Sequence, residues 1–187
     1  MSTENADAMP TSANQVVEFW VEAGPDKWFK KDDAFDEEFR SRFMGLHLRA
    51  ARREFEEWSE EPYSALALMI LLDQFPRNAF RGTAHMFATD PLARFYARKA
   101  YEAGFIEQVD PPLRLFMFLP FTHSENEADQ ELSLRLYREY APEALSFGVD
   151  HLDIIKRFGR FPHRNPSLAR ETTAQEQAFL DAGGFAG

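Results

Sequence analysis

Two stretches of this chain place arginine and asparagine shortly after a phenylalanine–proline pair: DQFPRNAFRG, Asp73 to Gly82, and GRFPHRNPSLAR, Gly159 to Arg170. Both runs are almost free of acidic side chains. From Ile154 to Arg170 the chain carries Lys156, Arg157, Arg160, Arg164 and Arg170 with no acid, and from Gln74 to Thr89 it carries Arg77 and Arg81 in the same way. Guanidinium groups held close together repel, so a buried cluster of them requires a carboxylate or a bound anion in its midst. Packed together, the two turns would form a receptor for a carboxylate or phosphate group. The candidate ligand-binding side chains are Asp73, Arg77, Asn78 and Arg81 from the first turn and Arg157, Arg160, Arg164 and Asn165 from the second.

Proton transfer at such a site falls to histidine or a carboxylate, because the chain has no cysteine. The candidates are His151, His163, His123 and Glu125. His151 shares a helix face with Ile154, Ile155 and Phe158, which favours a partly buried imidazole bonded to backbone over a catalytic one. Ser124 and Glu127 have capping-box spacing, which engages the serine hydroxyl and argues against a nucleophile there. Asp73 lies near the C-terminal end of an apolar helix, a poor place for an acid, and an ion pair with Arg77, Arg81 or an arginine of the second turn would rescue it. The four proton-carrier candidates have no metal-ligand spacing, and no GxSxG, Walker, GxGxxG or HExxH motif is present, so neither metal nor cofactor is expected.

An architectural reading accounts for the same turns. Gly159 suits a left-handed helix C-terminus, Phe161 before Pro162 is pushed extended, and Asn165-Pro166 has the signature of a new helix start. On that reading each turn is a rigid joint whose arginines bridge helix ends.

The elements that must position these groups read as helices. Val16, Phe19 and Trp20 lead to a Gly24-Pro25 stop; Asp32 or Asp33 caps a helix with Phe35, Phe39, Phe43, Leu46 and Ala50 at three- and four-residue spacing. Pro62 opens a helix whose interior, Ala65 to Leu72, is apolar on nearly every side, which makes it central. Asp90-Pro91 reads as cap and first residue of another. Pro111 to Pro120 allows two turns of helix or a strand, and Thr173 with Glu176 forms a second capping box. The expected fold is all-α, an irregular helical bundle or a tetratricopeptide-like superhelix of about eight helices. No Pro/Gly/Ser-rich linker divides it, so one domain is expected over residues 1–187, with residues 1–11 as a disordered tail.

Composition bounds the function. The 187 residues suffice for a full core, burying about 70% of the unfolded surface. Nineteen Phe, three Trp and five Tyr make that core largely aromatic. A net charge of −10 argues against a nucleic-acid partner. The richest apolar run is too short to span a bilayer and the N-terminus lacks a signal pattern, so no membrane association and a cytoplasmic location are expected.

LLDQFPRNAFRGTAHMFATDPLA (Leu71 to Ala93), His123 to Glu125, HLDIIKRFGRFPHRNPSLAR (His151 to Arg170) and WFKKDDAFDEEFRSRF (Trp28 to Phe43) together resemble the family labelled Domain of Unknown Function 924. The resemblance spans nearly the whole chain. It implies an all-helical, tetratricopeptide-like fold, and polar motif positions that include Gln74, Asp90, Ser124 and Gly159 beside the candidates above. It implies no reaction. The expected function is therefore the binding of a small anionic ligand, a carboxylate or phosphate, in an Arg/His-lined pocket, with catalysis left open. The alternatives are a helical module that binds a peptide or partner helix, and a purely structural protein in which Asp73, Asp90 and Glu125 neutralise the arginines.

Overall fold

The computed structural model describes residues 11–185. The expected N-terminal tail, residues 1–11, lies outside that range except for Thr11, where the first helix begins. Helix α1 (Thr11–Ala23) ends at Gly24, whose φ of 72° needs glycine, and a single turn, α2 (Pro25–Trp28), leads to α3 (Asp33–Ala51). Asp32 caps α3 by accepting from the Ala34 and Phe35 amides. The aromatic periodicity becomes ring packing: Phe19 stacks on Phe35 and Phe39 at 5.3 and 5.2 Å, and Trp20 meets Phe116 edge-on at 5.2 Å.

The central helix does not run straight. Helix α4 (Pro62–Met69) widens into a π-turn at Ile70–Gln74 before α5 (Phe75–Ala79), and every residue from Ser64 to Pro76 is buried. Pro76 explains the break. It has no N–H, so the Leu72 carbonyl loses its α-helical donor. The Phe75 amide reaches back to the Ile70 carbonyl, five residues away, which frees the Leu71 carbonyl too. Buried carbonyls left in this way need donors. His47 Nδ1 donates to Leu71 O at 2.9 Å, Thr89 Oγ1 to Leu72 O at 2.6 Å, and Arg77 Nη1 to Asp73 O at 2.6 Å. The first phenylalanine–proline pair thus opens a helix, and three distant or neighbouring side chains close the opening.

Around this axis pack α6 (Asp90–Glu102), α7 (Arg114–Thr122), α8 (Glu127–Tyr140) and α9 (Leu145–Phe158), followed by α10 (Ala174–Asp181). Helix α4 contacts α1, α6 and α7, while α8 lies between α7 and α9. The α8–α9 approach is close, since a Cβ added to Gly148 would sit 2.6 Å from the Tyr137 ring. Eight helices reach two turns or more among the described residues: α1, α3, α4, α6, α7, α8, α9 and α10. The fold is an irregular all-α bundle, with no strand among those residues and no helix long and apolar enough to cross a membrane. Most of the core is one cluster; Ile154, Ile155 and Phe161 form a second, packed with Phe158, Phe179 and Phe185.

Three local expectations need correction. Thr89 and not Asp90 precedes α6, because the Asp90 carboxylate is drawn to Arg77. The cap of α8 is Asn126, which accepts from the Ala128 and Asp129 amides, while the Ser124 hydroxyl donates to Asp129. No helix starts at Asn165-Pro166; that segment is a turn closed by the Arg170 amide on Asn165 O. Of the two readings open for Pro111–Pro120, the helical one holds. The Thr173–Glu176 capping box and the left-handed Gly159, φ 68°, form as expected.

Thr89→Val keeps the volume but leaves Leu72 O without a donor. It should destabilise the protein by about 1–3 kcal/mol in urea unfolding; an unchanged midpoint would mean that the π-turn does not depend on that bond.

Candidate functional site

The π-turn presents Asp73 inward, 1% exposed, at the centre of a polar network. Its Oδ1 receives His123 Nδ1 at 2.7 Å and lies 3.2 Å from Arg77 Nη1, and its Oδ2 accepts from Gln74 Nε2 at 2.6 Å. Burial alone would raise this carboxyl's pKa. The Arg77 charge and the His123 contact outweigh it and hold Asp73 down at about 2. An ionised Asp73 fixes the His123 tautomer: Nδ1 carries the hydrogen and donates, and Nε2 keeps a lone pair with no hydrogen-bond partner among the described residues. Burial, reinforced by the Arg77 charge, lowers the His123 pKa, so the imidazole is neutral at neutral pH.

Arg77 also forms a two-pronged pair with Asp90, both bonds 3.0 Å. Asp90 is shared. Arg164, from the second phenylalanine–proline turn, approaches its Oδ2 at 3.4 Å and donates to the His123 carbonyl at 3.0 Å. The two acid-free stretches therefore meet, on the carboxylate between them. Arg164 is 6% exposed and sandwiched between the rings of Phe161 and Phe87, its Cζ 4.5 and 4.7 Å from their centroids. Its Nε has no acceptor among the described residues. Burial first, then the Arg77 charge, pushes its pKa down to about 10.

The second turn is held by two further pairs. Glu125 takes Arg170 on both oxygens, at 2.8 and 3.0 Å, and accepts the Phe161 amide at 2.8 Å. Arg160 grips Glu176 at 2.6 and 2.8 Å, and Asn165 and the Thr173 amide also donate to Glu176. The Arg160 contact, with the Thr173 bonds, lowers Glu176 to about 2. Arg81 and Asn78 are used elsewhere, both bound to Asp36 of α3. Arg157 is half exposed and pairs with Asp153; it borders an open cleft of about 700 Å³ with Phe158 and Phe179, apart from the network.

His151 and His163 line the same corner. His151 Nδ1 donates to Phe147 O at 2.8 Å, the backbone-bonded arrangement weighed from sequence. Its ring and that of His163 both face Phe185, at 4.6 and 5.1 Å, which follows Gly183 and Gly184 and covers them. His163 Nδ1 is buried with no partner among the described residues. Burial lowers the pKa of His151 to about 4, helped by His123, and that of His163 to about 3, helped by Arg164. The structure thus draws Asp73, Arg77, Arg164, His123, His151, His163 and Glu125 into one region, with Arg160 and Asn165 behind it and Arg81, Asn78 and Arg157 outside.

Sequence reasoning took Glu176 for a helix cap and overlooked Thr89, His47 and Phe185. The surplus of arginines signalled that carboxylate partners must exist, but it did not say which; Phe185 left no signal.

An all-helical protein with a buried Asp–His–Arg network, closed by an aromatic side chain, is the class these features define. Residues 16–184 match the model of a family described as a bacterial protein of unknown function, DUF924, and the chain belongs to that family. It is similar to a solved structure described as a protein of unknown function, ATU0120, from Agrobacterium tumefaciens: 53% identity, TM-score 0.90, covering 92% of this chain and 98% of that one. No curated protein matches this chain.

Two measurements check the electrostatics. In the unfolded chain both histidines titrate near 6.5. Below that value the unfolded state takes up protons that the native imidazoles refuse, so stability should fall by up to about 1.4 kcal/mol per pH unit for each. The decline ends as pH nears about 4 for His151 and 3 for His163. Urea unfolding of His151→Gln/His163→Gln should show a flatter profile in this window; an unaltered slope contradicts the assignment. Asp73→Asn leaves Arg77 and Arg164 sharing one carboxylate and should cost about 3 kcal/mol or more, whereas a cost under about 1 kcal/mol would mean the pair is solvated.

Proposed function

We propose that this protein binds a small anionic ligand, a carboxylate or phosphate, at the corner formed by Arg164, His163 and His123 beneath Phe185. The observation that carries the reading is Arg164 itself. A guanidinium this deeply buried ordinarily has its N–H groups satisfied, yet here Nε is unpartnered and the contact to Asp90 is long, because Arg77 holds that carboxylate with two shorter bonds. An oxyanion beside Arg164 completes the coordination. The other cations, Arg77, Arg160 and Arg170, are committed to Asp73 and Asp90, Glu176, and Glu125, and they serve to position the turn. His123 supplies the chemical potential of the site. Its lone pair at Nε2 is free, and Asp73 orients the ring and would stabilise the imidazolium if a proton were taken from a ligand.

Phe185 covers His151 and His163, so ligand entry requires that ring to turn aside. Gly183, with φ 79°, provides the bend that brings it over the histidines.

A thermal-shift panel of small carboxylates and phosphates tests the proposal. A ligand at 100 times its Kd stabilises by about 2.7 kcal/mol, roughly 5 to 10 °C for a chain of this size. Arg164→Gln should abolish the shift, and Arg81→Gln, whose partner Asp36 lies outside the network, should retain it. A panel without a single shift, on folded protein, overturns the reading.

A further inference from the structure

The reading above concerns one ligand; the network's charge determines what must accompany it. Arg77, Arg164 and Arg170 face Asp73, Asp90 and Glu125, so three cations meet three carboxylates. With neutral histidines the region carries no net charge. A bare anion brought into it would be an uncompensated buried charge, which is strongly unfavourable. The region also holds two covered polar atoms without partners, on consecutive residues: His163 Nδ1 and Arg164 Nε. Both side chains pack against Phe161, the imidazole 5.7 Å and the guanidinium 4.5 Å from its ring centroid. Arg164 Nε–H is a donor in want of an acceptor.

We propose that the site binds its oxyanion together with one proton, held between His163 Nδ1 and the ligand, and is therefore a receptor for weak acids: carboxylic acids or hydrogen-phosphate groups. The proposal rests on the anion-binding reading. One ligand oxygen accepts from Arg164 Nε–H. The other accepts from a protonated His163 Nδ1–H, or, as an acid O–H, donates to the Nδ1 lone pair. The proton comes from solvent or with the ligand, no bond between heavy atoms changes, and the region stays neutral.

The surroundings of His163 explain why the proton waits for the anion. Burial and the Arg164 charge in its own turn disfavour a positive imidazole, and His151 of α9 and His123 at the end of α7 would add repulsion only if they were protonated; Glu125 favours it and is already occupied by Arg170. Phe161 and Phe185 pack against the partly buried ring, whose Nδ1 is covered. An anion on Arg164 cancels the nearest of these repulsions and supplies an acceptor. Binding should then strengthen by about tenfold for each unit that pH falls between the bound and free histidine pKa values.

The test uses acetate and methanesulfonate, both ionised throughout the neutral range, so that any proton taken up is the protein's. Imidazole ¹⁵N shifts of His123, His151 and His163 are followed against pH with and without each anion at constant ionic strength, and melting temperature is read on the same samples. The expected result is a His163 pKa that rises with anion from about 3 to about 6 or above, and a larger thermal shift at about pH 6 than at about pH 8. His163→Gln, which hydrogen-bonds but does not ionise, should keep an anion-dependent shift that no longer varies with pH. A thermal shift independent of pH, with no imidazole moved, overturns the proton coupling and leaves anion binding standing. Neither a thermal shift nor a moved imidazole overturns both.

Discussion

The carboxylate of Asp90 is the point on which this molecule turns. It is held by Arg77 from the helix broken at Pro76 and approached by Arg164, 74 residues further along the chain. Without that shared acid the two guanidinium groups would repel across a dry interior, and the joints that carry them would have no reason to meet. The backbone arranges the meeting. Pro76 frees two carbonyls, the π-turn sets Asp73 inward beside Arg77, and Thr89, whose hydroxyl closes the gap at Leu72, immediately precedes Asp90. Helix geometry, carbonyl satisfaction and charge pairing are thus one constraint seen at three scales.

The same economy accounts for what is left unsatisfied. Natural interiors pair nearly all their covered polar atoms, and this network does so for Asp73, Glu125, Arg77 and Arg170. Asp90 has two oxygens and two claimants, and Arg77 takes both with better geometry. Arg164 is left with a carbonyl, a distant oxygen and two aromatic faces. Its neighbour His163 cannot help, since a covered imidazole beside a guanidinium stays neutral. Two of the covered atoms left without a partner, His163 Nδ1 and Arg164 Nε, thus fall on adjacent residues.

Much of the scaffold was legible from residue types alone. Three- and four-residue aromatic spacing predicted α3, a capping box predicted α10, and glycine predicted the exit of α9, because each is a local device that acts within a turn or two. The arginines stood out because acids are missing around them. Their partners were hidden for a physical reason: a carboxylate at the start of a helix looks the same in sequence whether it caps that helix or bridges to another. Asp90 reads as a cap and is a bridge; Glu176 reads as a cap and is both. The π-turn was hidden too, since Pro76 announces a break while the side chains that heal it, His47 and Thr89, lie 24 and 17 residues from the carbonyls they serve.

The claim that Asp90 binds the two joints into one cooperative site is most directly tested by a double-mutant cycle between Asp90→Asn and Arg164→Gln in urea unfolding. The shared carboxylate predicts a coupling of about 1–3 kcal/mol between the two changes. Effects that simply add, to within about 0.5 kcal/mol, would show that Arg164 is held by its aromatic neighbours and the His123 carbonyl and that the two turns are neighbours without being partners.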